Sequence, residues 1–274
     1  MSPHEVQGQG DGTVDKVRKL APMLAMGMVV ANARFGSKGY RYFHLDTNSG
    51  SGWNDEVDVP GSPLVFHYIA DGCLTKMRRV AFFCEKNQQA AAELVSRLTA
   101  TGYLETSCIF CGDNRGILQI FAHRIRASER SEYAVGSVLI DPNGYCYRNR
   151  EGEGVPPLDK ITEFTSEFRR IDLLLNLNMR TYLLQRSQGH DVLAPADLFK
   201  RLGKEYWLVS QTVIGQARFL RAVGRNFRTD GYQALGFYHA DSEMGERILN
   251  WGTSNGDLQS ELFEPSNGTG GPDE

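Results

Sequence analysis

Short unbroken apolar runs alternate along this chain with stretches whose apolar positions recur at helical spacing, and that alternation restricts the folds open to it. The runs read as strands: YRYFHLD (40–46), RRVAFFCE (78–85), TSCIFCGD (106–113), AVGSVLID (134–141) and IDLLLNLN (171–178). Between them lie helical patterns. Residues 13–33 space Val14, Val17, Leu20, Met23, Leu24 and Met28 as one face. Ser62 as cap and Pro63 in the first turn begin another helix, and NQQAAAELVSRLTATG (87–102) closes on Gly102. A further helix runs from about Arg115 to Arg126, and one follows the run at 171–178. Late in the chain GYQALGFYHA (231–240) reads as a strand and Met244–Trp251 as a helix. Strands that are apolar throughout belong to a mostly parallel sheet with helices on both faces. The predicted fold class is α/β.

The 274 residues allow one large domain or two small ones, and no long linker or repeat divides them. One domain over 13–263 is expected, with a loose N-terminal tail (1–12) and a loose acidic C-terminal tail (264–274). REGEGVPP (150–157) reads as a loop. The formal charge of −3 means that any nucleic-acid contact must come from a local patch. No apolar run reaches membrane-spanning length, and the first residues do not form a secretory signal. Five cysteines in apolar stretches read as reduced thiols in a cytoplasm.

In a parallel sheet, ligands sit outside the carboxyl ends of the strands. Four runs here end in acidic, amide and glycine residues: Asp46-Thr47-Asn48-Ser49-Gly50-Ser51-Gly52, Glu85-Lys86, Gly112-Asp113-Asn114 and Asp141-Pro142-Asn143-Gly144. Gly50 and Gly52 let the backbone turn tightly against a ligand. Asp55 holds the slot of a third fingerprint glycine, and the loop has no lysine, so neither a dinucleotide fingerprint nor a phosphate-cradling loop fits. A ribose and a base fit better; a flexible polar loop is the plain alternative. Glu85 could accept both ribose hydroxyl protons or merely meet solvent at a strand end. Asp113 and Asn114 could bond an adenine edge, although Gly-Asp-Asn is also a turn sequence. Asp141 to Gly144 has the residue order of a type I turn, yet Asp141 and Asn143 there could hold a substrate amino or hydroxyl group.

Cys108 and Cys111 resemble half a zinc site, but no second pair or close His pair accompanies them, and buried cysteines are the better reading. No serine stands in a nucleophile-elbow motif. From Lys200 to Arg228 the chain is locally basic, with Lys204, Arg218, Arg221, Arg225 and Arg228 beside Tyr206, Trp207 and Phe219. Such a segment could bind DNA or RNA phosphates and stack on bases; a solvated helix face is the alternative, since the arginines recur at helical spacing.

The order of these strand ends resembles that of the three-Cys-motif partner proteins, a family with the class I methyltransferase fold. The matching stretches are Asp46 to Gly52, Gly61-Ser62-Pro63-Leu64, Glu85-Lys86, Asp141 to Gly144, Asp172-Leu173-Leu174-Leu175-Asn176 and the closing GYQALGFYHADSEMGERILNW. The resemblance implies one Rossmann-like domain that takes S-adenosylmethionine as cofactor and transfers its methyl group, with a nucleic-acid base as the expected acceptor. It places Asp46, Asn48, Ser49, Gly50 and Gly52 around the methionine end, Glu85 and Lys86 at the ribose, and Gly112, Asp113 and Asn114 at the adenine. Asp141, Pro142 and Asn143 would then be the catalytic group, orienting the acceptor. Two other readings stay open: a non-catalytic Rossmann-like nucleotide-binding or partner protein, and a transferase using another nucleotide-derived donor.

Overall fold

In the computed structural model the described residues are 12–128, 133–142, 155–214 and 217–250. The expected C-terminal tail and all but the last residue of the expected N-terminal one lie outside them. Helix α1 (Gly12–Phe35) leads into β1 (Arg41–Asp46), a small ribbon of β2 (Trp53–Asn54) and β3 (Val59–Pro60), and α2 (Ser62–Cys73). There follow β4 (Arg78–Glu85), α3 (Gln88–Ala100), β5 (Ser107–Cys111), α4 (Ile117–Arg126) and β6 (Ala134–Ile140). The chain continues with α5 (Leu158–Glu167), β7 (Ile171–Asn178), α6 (Met179–Ser187) and α7 (Pro195–Arg201). Two long strands, β8 (Tyr206–Ile214) and β9 (Ala217–Arg225), then β10 (Tyr238–His239) and α8 (Glu243–Asn250), complete it.

The main sheet has the order β5-β4-β1-β6-β7-β9-β8-β10. From β5 to β7 every neighbour is parallel; β9, β8 and β10 join antiparallel. This is the mostly parallel, Rossmann-like α/β sheet expected of the class I methyltransferase fold. Side-chain alternation along the strands builds a core on each face. Phe43 and Leu45 of β1 point with Val138 and Ile140 of β6 toward α4 and α5, where Phe121, Ile125, Ile161 and Phe164 receive them. Tyr42, Phe83 and Leu139 point the other way, onto Met23, Leu24 and Met28 of α1, Phe66 of α2 and Leu94 of α3. Among the described residues no helix is long and apolar enough to cross a membrane.

Three expectations need correcting. The stretch 231–240 is mostly irregular, with a short 3₁₀ turn (Gln233–Leu235) and only Tyr238 and His239 in a strand. Ser62 is not the cap of α2; Gly61 stands there, and the serine hydroxyl bonds Asp46 instead. The basic stretch is a strand pair rather than a helix. Arg221, Val223 and Arg225 lie two apart on one face of β9, and a spacing of three and four residues only imitated a helix.

Candidate functional site

The order reverses between β1 and β6: β4 and β5 lie to one side of β1, β6 and β7 to the other. The loop after β1 therefore opens at the switch point where open α/β sheets bind ligands. Asp46, the last residue of β1, is fully buried. Its carboxylate accepts the Asn48 N–H at 3.0 Å and the Ser62 hydroxyl at 2.5 Å, so it ties the loop to α2 and serves the site from behind. The Thr47 N–H donates to the Leu139 carbonyl at 3.0 Å. Ser49, also buried, donates its N–H and its hydroxyl to the Cys84 carbonyl, each at 3.0 Å. Asp46 and Ser49 thus fasten the loop to its neighbours.

Glu85 is half-buried at the end of β4. Its Oε2 accepts the Gly50 N–H at 2.8 Å and its Oε1 the Asn87 N–H at 2.7 Å. A carboxylate offers about four acceptor positions, so two remain for hydroxyl donors. Lys86 beside it is exposed. The Gly112 N–H bonds the Glu85 carbonyl at 3.0 Å, and the buried Asn114 donates its amide to the Thr47 carbonyl at 3.2 Å. Asn48 is half-buried, and its Oδ1 lies 3.4 Å from the same amide nitrogen. Asp113 is exposed and uses Oδ1 to accept the Arg115 N–H at 2.8 Å, capping a 3₁₀ turn.

The two glycines of the loop differ. Gly50 has φ +62°, and a Cβ there would meet nothing within 4 Å, so this is where a ligand can approach the backbone. Gly52 has φ +82°, and its Cβ would lie 2.7 Å from Leu94 Cδ1 of α3. Gly52→Ala is expected to lower stability by about 2–3 kcal/mol through left-handed strain plus overpacking, and Gly50→Ala by only about 1 kcal/mol through strain. Urea denaturation of the two variants checks this; equal losses would contradict it.

Arg97 of α3, which the sequence did not single out, fastens the outer loop. Its Nη1 donates to the Ser51 carbonyl at 3.1 Å and hydroxyl at 2.9 Å, and its Nη2 reaches both Asp55 oxygens at 2.9 Å. On the far side of β1, Asp141 is half-buried and Pro142 buried. Asp141 Oδ1 accepts the Asn176 amide of β7 at 2.9 Å, while the Asn176 Oδ1 is buried with no hydrogen-bond partner among the described residues. Asn143 lies outside the described residues. Burial pushes the Cys84 thiol up to about 12, with the carboxylates of Asp46, Glu85 and Asp113 acting in the same direction. At neutral pH it is a protonated thiol and no nucleophile.

Among the described residues the basic segment divides between buried and exposed side chains instead of presenting one charged face. Lys204, in the turn before β8, is buried against the start of β7, and Arg221 and Arg225 are buried because β9 lies between β7 and β8 and turns them inward over the sheet. The Lys204 ammonium donates to the Ile171 carbonyl at 2.7 Å, and burial pushes it down to about 8. Arg228 is exposed but sits between Asp230 at 3.6 Å and Asp241 at 3.7 Å. The Arg218 side chain lies outside the described ones. Cys108 and Cys111 are exposed rather than buried, since they stand near the free edge of the sheet on its terminal strand β5. Among the described residues no group of three His, Cys, Asp or Glu could hold a metal ion.

No family model and no curated protein matches this sequence. Solved structures do match its fold. The protein LPL1258 from Legionella pneumophila str. Philadelphia 1 superposes with a TM-score of 0.52 at 12% identity, over 79% of this chain and 88% of its own. That likeness supports the Rossmann-like α/β assignment. Weaker likenesses include the N-terminal domain of human METTL16 in complex with SAH (TM-score 0.44, 9% identity, 79% and 69% covered). The putative methyltransferase yhhF from Escherichia coli is another (TM-score 0.41, 14% identity, 80% and 90% covered).

Proposed function

We propose that this chain is an enzyme that binds S-adenosylmethionine at the carboxyl edge of β1, β4 and β5 and transfers its methyl group to an amine on a nucleic-acid base. The observation that carries the reading is the pairing of Glu85 with Gly50. The carboxylate keeps about two acceptor positions for a ribose diol, next to the one loop glycine whose surroundings are open. The cofactor supplies a methyl group already activated for displacement. What remains for the protein is to hold donor and acceptor in line, and positioning can account for most of such a rate.

In this reading Gly50 and Asn48 face the methionine end, and the free acceptor capacity of Asp113 faces the adenine amine. Asp141 accepts from the acceptor's N–H, with Asn176 holding the carboxylate in place, and Asn143 contributes a second contact. The free thiols Cys73, Cys84, Cys108 and Cys111 favour a cytoplasmic protein.

Calorimetry with S-adenosylmethionine and S-adenosylhomocysteine tests the binding step. The wild type is expected to bind both, and Glu85→Ala to lose about 1.5–3 kcal/mol, the worth of hydrogen bonds to a charged group. Wild-type protein that binds neither would leave a non-catalytic Rossmann-like module as the better reading. The acceptor is tested by methylation of RNA and DNA oligonucleotides: labelled methyl should appear on a base amine in at least one of them.

A further inference from the structure

At the opposite edge of the sheet, where the parallel strands begin, there is a cleft of about 630 Å³. Its wall takes Arg34 and Phe35 from the end of α1, Arg126 from the end of α4 and Glu167 from the end of α5. Arg169 and Arg170 come from just before β7, and Phe227 from just after β9. The seven-residue β6 runs from this cleft toward the switch point. At about 3.3 Å per residue the two places are roughly 20 Å apart.

We propose that this cleft is a second binding site, taking phosphate groups. Four guanidiniums line it against one lining carboxylate, in a chain whose net charge is −3. All four arginines are exposed, and aromatic rings hold two of them in place. The Arg34 guanidinium lies 5.2 Å from the Phe227 ring centre, and that of Arg170 5.8 Å from that of Tyr40. A guanidinium fixed on a ring loses less freedom when it binds, and its planar fork matches two phosphate oxygens.

Arg126 and Arg169 are paired with Glu167 and Glu205. Such exposed pairs contribute little, roughly 0–1 kcal/mol, so an incoming phosphate can share or displace the carboxylate. The volume falls within the roughly 300–1,000 Å³ of small-ligand sites, enough for a free polyphosphate or nucleotide, and the open cleft would equally admit the backbone of a nucleic-acid strand. The cleft shares no residue with the switch point, so phosphate binding here is independent of methyl transfer.

Binding of inorganic tripolyphosphate and of a short single-stranded oligouridylate would be measured by calorimetry at low and moderate salt. The full chain would be compared with Arg34→Gln/Arg169→Gln and with Glu167→Gln. The double variant should bind at least roughly tenfold more weakly, since each charged contact is worth a factor of about ten. Glu167→Gln should bind severalfold more tightly, because it removes the competing carboxylate. A preference for tripolyphosphate would identify a free phosphate ligand. A preference for the oligonucleotide, with log affinity falling by about 0.7 per phosphate contact against log salt, would identify a strand backbone. Arg34 and Arg126 also balance the dipoles at the ends of α1 and α4. If that is their whole role, neither probe binds the wild type, or the double variant binds as well as the wild type; either result overturns the proposal. So does a Glu167→Gln variant that binds no better than wild type.

Discussion

Arg225→Ala should lower folding stability by about 3–5 kcal/mol, the usual effect of stranding one member of a buried ion pair. Arg228→Ala, three residues on, should stay within about 0.5 kcal/mol of wild type. The Arg225 side chain is fully buried. Its Nη2 donates to Asp172 of β7 at 2.6 Å and its Nη1 to the Thr229 hydroxyl at 2.8 Å, while Phe227 and Tyr232 lie near the guanidinium. Burial pushes the Asp172 carboxyl up, and the charges of Arg225 and Lys204 oppose that shift. With Arg225 gone, burial acts against Lys204 alone, and the carboxyl must protonate or draw in water. Replacing both partners by apolar residues of similar size, Asp172→Leu with Arg225→Met, removes the two desolvated charges together and should restore much of the loss. Urea denaturation of the single and double variants decides the matter. A single variant within about 1 kcal/mol of wild type would show that the pair is not holding β7 to β9. Loss of nucleic-acid binding on changing Arg221 or Arg225 to Gln would likewise report a damaged sheet before it reported a lost phosphate contact, since both side chains are buried.

Local pattern carried the parallel half of this molecule and failed where partners are distant. RRVAFFCE and IDLLLNLN coincide with β4 and β7 residue for residue, because a strand covered on both faces must be apolar throughout. Helix α3 lies between the residues expected to bound it: Asn87 caps it, its side chain accepting the Ala90 N–H, and Gly102 follows its end at φ +76°. The residues gathered at the switch point were legible for the same reason, since each ends an apolar run. Their division of labour was not. Asp46 and Ser49 are consumed in fastening the loop, and Gly50 and Glu85 are left to face outward; that depends on Ser62, Cys84 and the Gly52–Leu94 contact, all distant in sequence. Arg97 was invisible because a surface arginine on a helix has no pattern of its own. The strand pair β8–β9 was misread because buried charges at 221 and 225 removed the apolar signal that betrays a strand. The cleft at the other end of the strands assembles the ends of three helices and three strands, and no local stretch of sequence contains it.

Acidification should destabilise the protein well above the pH at which most carboxylates titrate, because two neutral histidines, one on β1 and one on α2, are locked in the core. His44 of β1 stacks on Phe66 with ring centres 4.1 Å apart and shares a hydrogen bond with the Ser137 hydroxyl at 2.9 Å. His67 stacks on Tyr103 at 4.5 Å and shares one with the Ser107 hydroxyl at 2.9 Å. Burial pushes each down to about 3; the nearby His67 adds to the effect on His44, and the Arg79 charge to that on His67. The unfolded chain binds these protons near pH 6.5, so between pH 6.5 and 3 it holds more protons than the native state. Their contribution is therefore complete above about pH 6.5 and is lost as pH falls toward 3. At pH 5 the loss is about 2 kcal/mol for each ring, and about 4 kcal/mol together is a large part of a typical domain's stability. Urea midpoints measured from pH 7.5 down to 5 should fall steeply for the wild type. His44→Gln should make that fall about half as steep while costing some stability at neutral pH, since it loses the stack on Phe66. His44→Gln/His67→Gln should nearly abolish it. A wild-type slope no greater than that of the double variant would mean that the two rings titrate normally in the folded protein and that their burial is not felt as a proton-binding penalty.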